Sequence, residues 1–191
     1  MLRDYLLRKP LGKNQIDDMV NGLVNVMRYS DPSAIYPSNI EDVRSNDGVD
    51  PEWFYPIFNA SNDFSELSAI HMYTTQEVVF EEIGQLMLGI GLVEMQHYGK
   101  LSELIRALGG VIDQSYDNSK VEIGSTPVEA LKIAIDAEVT TIDFHDKVSE
   151  RIQKSKQTKT TETALQIVAK IRADEIVHLS LLRKKLERYG S

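Results

Sequence analysis

The sequence predicts an all-α protein: a four-helix bundle of two helical hairpins joined by a long crossover, with a proline-rich N-terminal extension. Three observations carry this reading. From Phe64 onward, apolar residues recur at helical spacing almost without interruption. The pattern Glu-x-x-His occurs twice, in "LVEMQHYG" and in "ADEIVHLS". A second motif, "ELSAIHMY" at 66–73, aligns without gaps on "EVTTIDFH" at 138–145, and each copy is followed by one Glu-x-x-His, so the chain holds an internal repeat.

Residues 1–60 read as an arm with one short helix, and residues 61–191 as the bundle. Five of the six prolines (Pro10, Pro32, Pro37, Pro51, Pro56) lie in the arm and forbid long helices there. The exception is Asn14 to Met27, where Ile16, Met19, Val20, Leu23, Val24 and Met27 keep helical spacing. The "PEWFYPIF" cluster, with the only tryptophan, is suited to cover apolar surface on its own bundle or on a second subunit. Asp63 offers one local role for Glu66, as the third residue of a capping box in "DFSE".

The first hairpin must turn near Phe80, the midpoint between Glu66 and Glu94. An unbroken helix would hold those two residues about 40 Å apart. The only local sign of a break is the β-branched pair Val78 and Val79. "LGG" at 108–110 predicts a helix C-cap with glycine in the left-handed conformation. A polar crossover from about 111 to 126 follows, ending at Ser125 or Thr126 as N-cap, Pro127 as first helical residue and Glu129 in the first turn. The second turn falls in the polar run "KSKQTKTT", with Thr160 or Thr161 as the next cap.

Composition removes several classes of function. With no cysteine there are no disulfides, zinc-thiolate sites or iron-sulfur clusters, so any metal must be held by oxygen and nitrogen. A net charge of −8 argues against nucleic acid as a partner. No segment approaches the eighteen or so apolar residues of a membrane span, and the N-terminus lacks the apolar core of a signal peptide. The expected location is the cytoplasm.

On a helix, positions i and i+3 share a face. Glu94 with His97, and Glu175 with His178, therefore form two carboxylate-imidazole pairs. If both hairpins close, Glu66, Glu94, His97, Glu138, Glu175 and His178 converge in the bundle core, a ligand set that bundles use to hold two metal ions. Four buried carboxylates without partners would each cost several kcal/mol, and two divalent cations neutralise them. Carboxylate and imidazole donors favour iron or manganese, and the same set accepts zinc. His145, two turns after Glu138, is an outer partner, an extra ligand or a partly exposed histidine; His71 reads as a surface residue.

These motifs, in this order over roughly residues 62–189, resemble the ferritin-like superfamily of dimetal-carboxylate proteins, in its rubrerythrin, bacterioferritin and manganese catalase branch. The resemblance implies two metal ions per subunit, His97 and His178 each on one ion, Glu94 and Glu138 among the bridging ligands, and Glu66 and Glu175 terminal or bridging. It also implies that Tyr73, seven residues after the first-helix Glu, hydrogen-bonds near the metals. The expected function is an oxidoreductase acting on hydrogen peroxide or dioxygen, either a rubrerythrin-like peroxidase or a manganese-catalase-like enzyme. Tyr73 and Glu175 are its candidate catalytic residues, Glu175 or Glu66 serving as proton shuttle. An electron-donor protein and a homo-oligomer, dimer or larger, are the expected partners. Two alternatives are a ferroxidase and iron-storage protein, and a structural or interaction protein stapled by metal. The chain departs from rubrerythrin in lacking a rubredoxin-like cysteine site, and from bacterioferritin in its long arm.

Overall fold

The computed structural model describes residues 26–38, 40–60, 64–112 and 115–189. Most of the helix expected between Asn14 and Met27, and Asp63 with its capping-box role, lie outside these residues. Among the described residues there is no strand, and no helix is long and apolar enough to cross a membrane.

After 3-10 turns at Met27–Tyr29 and Pro51–Trp53 and a short helix α1 (Tyr55–Phe58), four long helices follow: α2 (Glu66–Val79), α3 (Glu81–Ala107), α4 (Pro127–Lys154) and α5 (Lys159–Glu187). Helix α2 packs along α3 and α4 along α5, giving the two expected hairpins.

The first hairpin reverses at a single non-helical residue, Phe80, with φ −122° and ψ 87°. The residues that allow so tight a turn lie beyond it. A Cβ on Gly84 would stand 2.8 Å from the backbone oxygen of Glu77, and one on Gly91 would stand 3.2 Å from the Tyr73 Cβ. The missing side chains let the two backbones approach.

Helix α3 ends as expected, with Gly109 at φ +86° and the Gly110 N–H donating back to the Ile105 carbonyl at 2.8 Å. Thr126 caps α4, accepting from the Glu129 N–H at 3.2 Å, with Pro127 at the first helical position. The cap of α5 is Thr158, not Thr160 or Thr161. Its side chain and that of Thr161 form a reciprocal capping box, while Thr160 accepts from the Arg44 N–H of the arm. Ser65 caps α2, accepting from the Ser68 N–H, so Glu66 is the first helical residue and its side chain is free to turn inward.

The core has two apolar layers. One gathers Ile83, Met87 and Ile90 of α3, Leu131 and Ala134 of α4 and Leu182 of α5. The other gathers Leu101, Leu104 and Ile105 of α3, Val148 and Ile152 of α4 and Ile167 and Ile171 of α5, together with Phe54, Ile57 and Phe58. The aromatic cluster therefore covers its own bundle, and Phe58 stacks on Tyr98 with ring centroids 4.3 Å apart. On α3, α4 and α5 the buried Glu and His residues fall between the two layers.

Candidate metal centre

Each bundle helix brings one part of the site. Helix α2 supplies Glu66 and, two turns on, Tyr73; α3 supplies Glu94 and His97; α4 supplies Glu138 and His145; α5 supplies Glu175 and His178. All eight side chains are buried.

The six expected ligands form two groups, Glu66 with Glu94, His97 and Glu175, and Glu94 with Glu138, Glu175 and His178. Within each group one ligand atom per residue lies within 4.8 Å of every other. The two groups share Glu94 and Glu175. Of the pair that the family resemblance implied among the bridging ligands, Glu94 belongs to both groups and Glu138 to the second alone. The glutamates of the two Glu-x-x-His motifs stand at the centre, and the single glutamates Glu66 and Glu138 stand at the two flanks.

Both histidines direct Nδ1 inward. The His97 Nδ1 lies 3.1 Å from Glu94 Oε2, 3.1 Å from Glu175 Oε1 and 3.5 Å from Glu66 Oε2. The His178 Nδ1 lies 3.0 Å from Glu94 Oε1, 3.0 Å from Glu175 Oε2 and 3.5 Å from Glu138 Oε1. One ring N–H cannot satisfy three carboxylates. Accordingly, both oxygens of Glu66, Oε1 of Glu94 and Oε1 of Glu175 have no hydrogen-bond partner among the described residues despite full burial. Such orphaned acceptors carry a large desolvation cost. Cations placed between the nitrogen and the oxygens remove it, so the donor set fits metal.

Without metal the cluster balances its charge with protons. Burial drives the carboxyls of Glu66 and Glu138 well above the usual range, despite the opposing pull of His97 on Glu66 and of His178 on Glu138. Burial also works to raise Glu94 and Glu175, but His97 and His178 outweigh it and hold both below the usual range, Glu175 strongly. Burial disfavours charge on the two imidazoles as well, yet the surrounding glutamates raise both well above the ordinary histidine range. Protons in the centre are thus favoured on the flanking carboxyls of Glu66 and Glu138 and on the two imidazoles, and disfavoured on Glu94 and Glu175.

A further set of groups positions these ligands. The Tyr73 hydroxyl donates to Glu138 Oε1. Behind His97, Nε2 lies 3.2 Å from Asp174 Oδ2, while Asp174 Oδ1 accepts from Lys170 Nζ at 2.6 Å, the Ser30 hydroxyl at 2.9 Å and the Asp31 N–H at 2.6 Å. Sequence reasoning missed Asp174 and Lys170. The available signal was an i, i+4 Lys-Asp pair on α5, next in sequence to Glu175. His145 is buried, and burial lowers its imidazole to about 4, so the ring is neutral. His71 is half-buried on α2, outside both groups.

A pocket with about 10 Å³ of free space, enough for one water, is lined by Glu66, Tyr73, Glu94, Glu138 and Glu175 on its polar side and by Phe64, Ala69 and Met72 on its apolar side. Phe64, Met72 and Ala137 also line an outer pocket of about 330 Å³, with Val121 and Glu122 of the crossover at its rim. These three apolar residues thus separate the outer pocket from the carboxylates of the inner one.

No family model matches this sequence, and no curated protein matches it. Among solved structures, Mycobacterium tuberculosis bacterioferritin, BfrA, is similar in fold: TM-score 0.63 at 22% identity, over 75% of this chain and 89% of that one. The chain has the ferritin-like fold, with buried Glu and His clusters that could hold metal ions.

Proposed function

We propose that this chain is a dimetal-carboxylate oxidoreductase that reduces or dismutates hydrogen peroxide, or reacts with dioxygen, at two iron or manganese ions held by Glu66, Glu94, His97, Glu138, Glu175 and His178. The observation that carries it is the pair of four-residue groups sharing Glu94 and Glu175 in the bundle core. When bound, the two ions supply electrons and stabilise the charge of a reduced oxygen species.

The protein's own part is to exclude bulk water, fix the ligands and move protons. Reducing one peroxide to two waters takes two electrons and two protons. The electrons come from a donor protein in a peroxidase, or from a second peroxide, released as dioxygen, in a catalase. Glu175, Glu66 and Glu138 line the small pocket and carry or release protons there. The Tyr73 hydroxyl, held protonated by its burial and by Glu138, fixes the orientation of Glu138. The apolar side of the pocket admits a small neutral oxidant. Assembly into a homodimer or larger oligomer belongs to the same proposal.

The bacterioferritin-like fold favours a second reading, a ferroxidase with an iron-storage role. Storage requires a hollow shell of many subunits, so gel filtration separates the two. The test combines metal analysis of protein purified without chelator with peroxide consumption, with and without reductant. Two iron or manganese ions per chain, reductant-dependent or dismutating turnover and a small oligomer are expected. A particle of about two dozen subunits transfers the assignment to storage. Background turnover in the fully loaded protein leaves only a metal staple.

A further inference from the structure

The two halves of the centre differ at a repeated position. The repeat places Tyr73 and His145 seven residues after Glu66 and Glu138, respectively. Tyr73 reaches across and donates to Glu138, the flanking glutamate of the other hairpin. His145 reaches the other way. Its Nε2 stands 4.0 Å from Oε1 of Glu66, the opposite flanking glutamate.

The matching positions do not do the same thing. At 4.0 Å His145 makes no hydrogen bond to Glu66, and its Nε2 has no partner among the described residues although the residue is only 1% exposed. Oε1 of Glu66 has none either. A core histidine kept for structure pairs its ring nitrogens. Here a ring nitrogen and a carboxylate oxygen, each without a hydrogen-bond partner among the described residues, stand 4.0 Å apart. Two donor atoms bound to one ion at about 2.1 Å each can stand up to about 4.2 Å apart, so this gap is of the size that a shared cation spans.

We propose that His145 is a seventh ligand of the centre, binding through Nε2 the ion on the Glu66 and His97 side and making the two metal positions chemically unequal. The Glu66 side then has five protein ligands, two of them nitrogen: Glu66, Glu94, His97, His145 and Glu175. The Glu138 side has four ligands, one of them nitrogen, with its flanking carboxylate fixed by Tyr73. This rests on the dimetal reading and adds a ligand to it. Because His145 stands outside the tight Glu66 group, it closes onto the ion by a small movement of its own side chain or of Glu66.

The test uses the full chain labelled with ¹⁵N-histidine and titrated with zinc(II), an ion that accepts oxygen and nitrogen donors. Long-range ¹H–¹⁵N spectra resolve both ring nitrogens of all four histidines. The expected result is that Nδ1 of His97, Nδ1 of His178 and Nε2 of His145 move to metal-bound shifts while His71 does not. If His97 and His178 move and His145 Nε2 does not, the seventh ligand is overturned and the six-residue site stands. If none of the three moves, the dimetal reading falls and this inference with it. As a second measurement, His145→Tyr, which copies the opposite half, is expected to weaken one of two zinc equivalents by ~10-fold or more and leave the other unchanged. Two unchanged equivalents overturn the proposal.

Discussion

Asp174 takes the back of the His97 ring, its Oδ2 3.2 Å from Nε2, while the adjacent Glu175 takes the front, its Oε1 3.1 Å from Nδ1. Two consecutive residues of α5 thus bracket one imidazole of α3 and fix which nitrogen faces the centre. Asp174 is in turn held by Lys170, Ser30 and Asp31, so the arm is tied to the site. Asp174→Asn is expected to lower metal affinity by about 10–100-fold. By leaving Lys170 buried without its carboxylate, it should also lower stability by roughly 3 kcal/mol. Chemical denaturation and a metal titration check the two effects separately.

Sharing of ligands gives an asymmetric mutational pattern. Glu94→Gln and Glu175→Gln each take a donor from both groups and should abolish tight binding of both metal equivalents. Glu138→Gln touches one group and should weaken one equivalent, by more than the roughly 100-fold expected for an outer partner. Metal counted per chain after desalting distinguishes this from the alternative in which Glu138 bridges, where its loss would remove both.

The proton balance predicts a pH dependence. Glu66, Glu138, His97 and His178 have raised values in the folded metal-free protein, so at neutral pH it binds more protons than the unfolded chain. Its stability therefore falls as pH rises. The contribution of the two glutamates is complete below about pH 4.5 and that of the two histidines below about pH 6.5, and each is lost toward its own raised value. Glu94, Glu175 and Asp174, with lowered values, are already ionised above that window and do not reverse the trend. Metal must displace protons held by the two imidazoles and by the Glu66 and Glu138 carboxyls, all of which have raised values. Calorimetry in buffers of different ionisation enthalpy counts them, and the gap in melting temperature between loaded and metal-free protein should widen from pH 6 to pH 8.

Tyr73→Phe removes the donor to Glu138 while keeping the buried ring and the Cβ that lies against Gly91. Metal content should survive. Peroxide turnover should drop by about 100-fold, the scale of a group misplaced at a reacting centre. Steady-state rates at matched metal loading provide the check, and an unchanged rate removes Tyr73 from the mechanism.

Gly84→Ala tests the turn. Alanine favours helix over glycine by up to about 1 kcal/mol, yet its Cβ would stand 2.8 Å from the backbone oxygen of Glu77, which cannot move aside alone. Net destabilisation of about 1–3 kcal/mol is expected. Thermal melting of the metal-free protein measures it.

Much of this was legible in the chain. Spacing and caps place the helices, because periodicity and capping are local properties: Thr126, Pro127 and Gly109 do what their chemistry predicts. The α5 cap was misplaced by two residues because Thr158, Thr160 and Thr161 are chemically equivalent, and contact with Arg44 assigns their roles.

By itself the sequence determined that four helices carry four glutamates and two histidines at matching heights, since a repeat and an i, i+3 pair need only one helix to be read. Tertiary structure alone decided that Glu94 and Glu175 belong to both groups, that Asp174 and Lys170 support His97, and that His145 stands near Glu66. The physical reason is that helical periodicity says which side of a helix turns inward, whereas the distance across a bundle depends on how closely its axes approach. In the first hairpin that approach is set by the missing side chains of Gly84 and Gly91.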